Sequence, residues 1–176
     1  MLGGTRSGKS RFALELTRSL AGDRPAWFIA TAWPGDPELD QRIARHRRER
    51  PAEWPTVDAG ADLAATMDGI TRDAPDAPVL LEGLTLWLSA LAGDEPAEID
   101  PLLDGPVAAA LAAIDRHPGP VVVVSDEMGL GMVPMDPLGR AFRDLAGLVH
   151  QRCAAAADEV HVVIAGLPMT IKGERR

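Results

Sequence analysis

Cysteine is almost absent. Cys153 is the only one in 176 residues, so no internal disulfide can form and nothing in the thiol content points to an oxidising compartment. No apolar run approaches the ~18 residues that a membrane-spanning helix needs. A basic face is also missing from the chain as a whole. Its formal charge is −8, which argues against nucleic acid as a partner, because phosphate backbones are held by clustered lysine and arginine. The four histidines, His46, His117, His150 and His161, are scattered without ligand spacing, so no zinc site is expected. The glycine-rich stretch starts at residue 3 and leaves no room for a signal peptide, so a cytoplasmic protein is the expectation.

What is present is a regular alternation. Apolar, β-branched runs at Trp27–Ala32, Val79–Glu82, Val121–Ser125 and Val160–Ile164 read as strands, and Val121–Val124 is valine throughout, as in a strand buried on both faces. Between them Lys9–Leu20, Pro37–Arg50, Ala61–Arg72, Leu102–Ile114 and Leu138–Ala156 carry helical periodicity, while Gly93–Asp100 reads as a polar surface loop. A short extra strand is expected around Trp54–Val57. Strand–helix alternation predicts an α/β layer fold with a mainly parallel sheet, and the length fits one domain over residues 1–176.

Gly3-Gly4-Thr5-Arg6-Ser7-Gly8-Lys9-Ser10 fits G-x-x-x-x-G-K-S. Such a loop turns successive backbone N–H groups toward one anion, and the helix behind it adds the positive end of its dipole. Lys9 would meet the β- and γ-phosphates, and the Ser10 hydroxyl would meet Mg²⁺. The motif and the alternation together predict a P-loop NTPase fold of RecA-like type. Only Met1 and Leu2 precede the loop, so the first strand is expected to be very short or truncated. Glu82, closing an apolar strand, is the candidate second metal contact, with Asp126 and Glu127 as rivals.

Arg42, Arg45, Arg47, Arg48 and Arg50, opposed only by Glu49, place a charge of +4 within nine residues of this acidic chain. Such an island suits a small anionic ligand or a solvated helix face. His46 continues the stripe of Leu39 and Ile43 at helical spacing. Read locally, it is either a nucleophile facing phosphate among guanidiniums or a boundary histidine bonded to backbone.

The order of these blocks resembles the bifunctional adenosylcobinamide kinase / adenosylcobinamide-phosphate guanylyltransferase family. The match runs from Gly3–Ser10 through Phe28–Ala32, Arg42–His46, Trp54 and Thr56, then Glu82 with Leu84–Leu88, Ser125–Pro134, Phe142–Gly147, Ala155–Val160 and Gly166–Pro168. The resemblance implies two reactions of cobalamin biosynthesis. ATP or GTP phosphorylates the corrinoid adenosylcobinamide. GTP then donates GMP through a histidine–GMP intermediate, giving adenosylcobinamide-GDP and pyrophosphate. His46 matches the nucleophile. The implied nucleotide contacts are Gly3, Gly4, Thr5, Arg6, Ser7, Gly8, Lys9, Ser10, Ala30, Thr31, Ala32, Arg47, Arg48, Glu49, Arg50, Asp58 and Glu82, with Ser10 and Glu82 at the metal. Asp58 is the candidate reader of guanine. The resemblance also implies a homo-oligomer, a trimer, whose arginine helix completes a neighbour's site. Asp126 and His150 depart from the family pattern, which has asparagine at both. Met128, Met132 and Met135 are candidates either for an apolar rim against the corrin ring or for the loop's own small core. Two other readings stay open: a single-activity P-loop small-molecule kinase, and a nucleotide-gated interaction module.

Overall fold

The computed structural model describes residues 1–31, 50–96 and 98–173. The elements, in chain order, are β1 Leu2–Gly3, α1 Lys9–Ala21, β2 Trp27–Ala30, β3 Thr56–Asp58, α2 Leu63–Asp73, β4 Val79–Glu82, α3 Leu84–Ala92, α4 Ile99–Leu102, a π-helical turn Leu103–Val107, α5 Ala108–Arg116, β5 Val121–Asp126, α6 Pro137–Ala156, β6 Val160–Ile164 and β7 Leu167–Lys172. The strands form one sheet in the order β3-β2-β4-β5-β1-β6-β7. Every pairing is parallel except β6 with β7, which is antiparallel.

The pleat sorts side chains into two cores. Ile29, Val79 and Leu81 face the layer built by α2, α3, the π turn, α5 and α6, where Leu63, Met67, Trp87, Leu88, Val107 and Val149 are buried. Phe28, Leu80, Val122 and Val124 point the other way, onto Ala13 and Ala21 of α1 and the Trp54 ring. Burial of both sheet faces is why β4 and β5 are apolar without alternation. Trp54 and Trp87 are therefore core residues, and Trp87 Nε1 donates to the Ala61 carbonyl at 3.1 Å. No helix among the described residues is long and apolar enough to cross a membrane.

Several expected boundaries shift. The first apolar run ends as a strand at Ala30 rather than Ala32. The expected loop to Asp100 already turns helical at Ile99. The expected helix Leu102–Ile114 extends to Arg116 but widens into the π turn around Pro106, which has no N–H for an ordinary helical bond. Helix α3 was not among the expected elements, because a nearly all-apolar segment hides its period. Strand β7 also went unread. It is mostly exposed, and Pro168 inside it is tolerated on a sheet edge.

The shortness of β1 bears on the whole sheet. Its two residues pair with Ser125 and Asp126 on one side and with Val162 and Val163 on the other. The Met1 ammonium continues the line by donating to the Val123 carbonyl at 2.9 Å, and burial pushes its pKa down. Beside Met1 opens a cavity of about 410 Å³, lined in part by Val121, Val122 and Val123 of β5 and Val160 of β6. Cys153 also lines it, its thiol pushed up to about 11 chiefly by burial.

A chain extended by three valine or isoleucine residues ahead of Met1 continues β1 into this space. The expected result is a higher Tm, each kcal/mol gained adding roughly 2–4 °C at this chain length. An unchanged or lower Tm would show that the cavity is not a continuation of the strand.

Candidate functional site

The carboxyl ends of the parallel strands bring most of the described candidates to one edge of the sheet. Gly3 of β1 pairs with Asp126 of β5, Ala30 of β2 with both Asp58 of β3 and Glu82 of β4, and Glu82 with Val124. After β1 the chain leaves toward α1 on one face, while after β5 it leaves toward α6 on the other. The two adjacent strands thus diverge, which opens the crevice where ligands of open α/β sheets bind.

The loop Gly4–Gly8 sits at this crevice. Ser7 N–H donates to the Gly4 carbonyl at 3.2 Å, and Gly166 N–H donates to the Ser7 carbonyl at 2.8 Å, tying the loop to the β6–β7 turn. Gly8 has φ 95° and caps α1 with no side-chain hydrogen bond, so a side chain there would be strained and would meet the Gly166 Cα at 3.2 Å. Arg6 holds φ 56° without being glycine, a conformation costing roughly 1–2 kcal/mol. Ser10 lies in the first turn of α1. Lys9 folds back over the loop. Its ammonium donates to the Gly4 carbonyl at 3.3 Å and pairs with Asp126 Oδ1 at 2.5 Å, and its side chain is only 12% exposed.

A second group gathers at the far end of the same edge. Arg50 donates to Thr56 Oγ1 at 3.2 Å, and its guanidinium stacks 3.7 Å from the Phe28 ring centroid. Arg50, Pro51, Ala52, Thr56 and Asp58 line a hollow of about 280 Å³. Four strand steps separate β3 from β1, about 19 Å at the usual 4.8 Å spacing. Ala32, His46, Arg47, Arg48 and Glu49 lie outside the described residues, as do Trp33 and most of the expected helix Pro37–Arg50. Thr31, expected at the nucleotide, is buried. Its hydroxyl donates toward the carbonyls of Glu82 at 3.0 Å and Gly83 at 2.6 Å, so it locks β2 to β4.

Beneath Asp126 lies a polar chain that sequence reasoning did not single out. Asp126 N–H donates to Thr85 Oγ1 at 2.7 Å, Thr85 Oγ1 meets Ser125 Oγ at 2.8 Å, and Ser125 Oγ meets His150 Nε2 at 2.7 Å. The only signal was polar residues closing or interrupting apolar runs. Next to it, the Glu127 carboxylate accepts from Gly129 N–H at 2.7 Å and Leu130 N–H at 3.0 Å. Arg140 donates to the carbonyls of Pro134 and Met135, and Arg143 to that of Gly129. These bonds hold a loop that presents Leu130, Met132 and Met135 to solvent at 84%, 95% and 95% exposure, so Met132 and Met135 do not fill a core of their own.

The pKa of His150 is lowered, first by burial and then by the Met1 ammonium, against the opposing pull of Glu127 and Asp126. A histidine held neutral in the fold takes up a proton more readily once unfolded. Its contribution to stability is therefore complete above the ordinary value near 6.5 and is lost as pH falls through the lower folded value. Melting curves from about pH 7.5 to about pH 5 should show a falling Tm, and His150→Gln should flatten part of that fall. An unaltered slope in the variant would remove His150 as the cause.

The family model described as cobinamide kinase / cobinamide phosphate guanyltransferase matches residues 1–171. The bifunctional adenosylcobalamin biosynthesis protein CobP of Pseudomonas aeruginosa is 42% identical, over 99% of this chain and 96% of its own length. The bifunctional adenosylcobalamin biosynthesis proteins CobU of Salmonella typhimurium and Escherichia coli are 41% and 38% identical, each over 97% of both chains. The chain belongs to the cobinamide kinase / cobinamide phosphate guanyltransferase family.

Proposed function

We propose that this chain catalyses both reactions named for its family, phosphorylating adenosylcobinamide and then transferring GMP to adenosylcobinamide phosphate in cobalamin biosynthesis. The observation that carries the nucleotide site is the Lys9 ammonium lying over a loop that ends at the uncapped N-terminus of α1, in the crevice between diverging strands. Backbone N–H groups, a helix dipole and one cation converge there, which is what a triphosphate requires. We read the fold as a single P-loop NTPase domain of RecA-like type, and Gly3–Ser10 as its phosphate loop. The left-handed Arg6 supports this, since backbone strain of that kind collects at ligand sites.

Oxygen donors suit Mg²⁺, which takes one or two carboxylates with phosphate and water and needs no three-carboxylate cage. Ser10 in the first turn of α1 and Glu82 at the end of β4 would hold it, with Asp126 adjoining. Bound there, it would neutralise charge on the β- and γ-phosphates. In the kinase step, Lys9 and the loop N–H groups hold the triphosphate while the corrinoid hydroxyl attacks the γ-phosphorus and the nucleoside diphosphate leaves. The exposed Leu130–Met135 rim supplies apolar surface for the corrinoid.

In the guanylyl step, an imidazole nitrogen of His46 attacks the α-phosphorus of GTP, and pyrophosphate leaves. A phosphate oxygen of adenosylcobinamide phosphate then attacks the histidine-bound phosphorus, releasing the imidazole and forming adenosylcobinamide-GDP. Arg47, Arg48 and Arg50 stabilise the phosphate charge. Asp58, in the hollow it shares with Arg50, accepts hydrogen bonds from the guanine N1–H and N2 amine. We place the chain in the cytoplasm as a homo-trimer, with the arginine segment of one subunit serving a neighbour's site.

Incubation with Mg²⁺ and GTP labelled at the α-phosphate, without corrinoid, tests the histidine step. The wild type should carry an acid-labile, alkali-stable label that His46→Ala lacks. Folded, GTP-binding protein that takes up no label would instead favour the single-activity kinase.

A further inference from the structure

Lys9 and Asp126 both stand at the triphosphate in the account above, and the ion pair between them occupies the cation that the phosphate loop presents. At 2.5 Å from Asp126 Oδ1 and 3.3 Å from the Gly4 carbonyl, the ammonium has two acceptors within the protein itself. Asp126 is not a loose surface carboxylate. Its Cα is in register with Gly3, its N–H is anchored on Thr85 Oγ1, and the following Glu127 N–H donates to the Gly3 carbonyl at 3.1 Å. The base of the carboxylate is thus pinned to the strand that carries the loop. Thr85 is pinned in turn through Ser125 to His150 of α6, on the opposite face of the sheet from α1.

We propose that Asp126 is a positioning residue that parks Lys9 across the phosphate loop, so that a nucleotide binds by exchanging the lysine's carboxylate partner for phosphate. The proposal rests on the reading of Gly3–Ser10 as the phosphate loop. The carboxylate keeps the ammonium folded over the loop instead of extended into solvent, and it neutralises the cation until a stronger anion replaces it. A triphosphate carries enough charge to displace it, whereas a nucleoside carries none. Asp126 therefore weakens phosphate binding overall and makes occupancy of the loop depend on the number of phosphates offered. When the pair opens, the freed carboxylate faces the side of the crevice where the phosphates sit.

The test is binding of ATP and GTP in EDTA, so that metal ligation plays no part, by the wild type, Asp126→Asn, Lys9→Ala and the double variant. Guanosine serves as the phosphate-free control, and melting curves establish that each variant is folded. Asp126→Asn should bind both triphosphates roughly fivefold more tightly, the scale of one partly covered ion pair, with guanosine unchanged. In the Lys9→Ala background the same substitution should recover less than half of that gain. Equal gains in the two backgrounds would show a bystander charge and overturn the exchange, as would no tightening in Asp126→Asn. If Lys9→Ala alone binds triphosphate as well as the wild type, the phosphate-loop reading itself fails, and the exchange falls with it.

Discussion

Two residues of backbone hold the site in place. Leu2 and Gly3 form an inner strand between β5 and β6, and the Gly3–Ser10 loop hangs from the end of that strand. Parallel pairing on both sides sets the register of Gly3 against Asp126 and Val163, and so aims the loop at the crevice where the connections after β1 and β5 part to opposite faces. The Met1 ammonium is bonded to the Val123 carbonyl, and a cavity opens beside it. Stability and ligand binding are coupled here: whatever loosens β1 also displaces the loop.

The rest of the sheet is a rack of carboxyl ends. Asp58, Glu82 and Asp126 close β3, β4 and β5, the last two after strand residues that are mostly buried. Their negative charge is answered by Lys9 at one end of the edge and by Arg50 at the other. This distribution agrees with a chain that is acidic overall but concentrates arginine between residues 42 and 50. Phosphate is a ligand that such an arrangement both attracts and must discriminate, since it has to compete with resident carboxylates for the same cations.

Much of this was legible in the sequence because it depends on local rules. Val79–Glu82 and Val160–Ile164 end in the structure where composition placed them, and the glycine at position 8 takes the left-handed conformation that the motif demands. Illegible features had a different cause. Thr31 matches a nucleotide contact of the family, and the bonds its hydroxyl makes to the Glu82 and Gly83 carbonyls could not be read beforehand, because that pairing is set by sheet order rather than by sequence neighbourhood. The Thr85–Ser125–His150 chain joins three elements, and no spacing rule connects them. The methionines after residue 127 were ambiguous between core and rim, and only the arginine clamps of α6 explain how the loop keeps Met132 and Met135 outside. Sequence alone also could not separate the loop end of the site from the Arg50–Asp58 hollow, which lie four strands apart on one edge.

The central claim is that one chain performs both transfers with the triphosphate seated on the β1–α1 loop. Its most direct test is a time course with purified protein, adenosylcobinamide, Mg²⁺, ATP and GTP, the corrinoids separated by chromatography and identified by mass. The account predicts adenosylcobinamide phosphate first and adenosylcobinamide-GDP after it, with neither formed by Lys9→Ala protein of unchanged fold. Full turnover by that variant, or no phosphorylated corrinoid from the wild type, would contradict it.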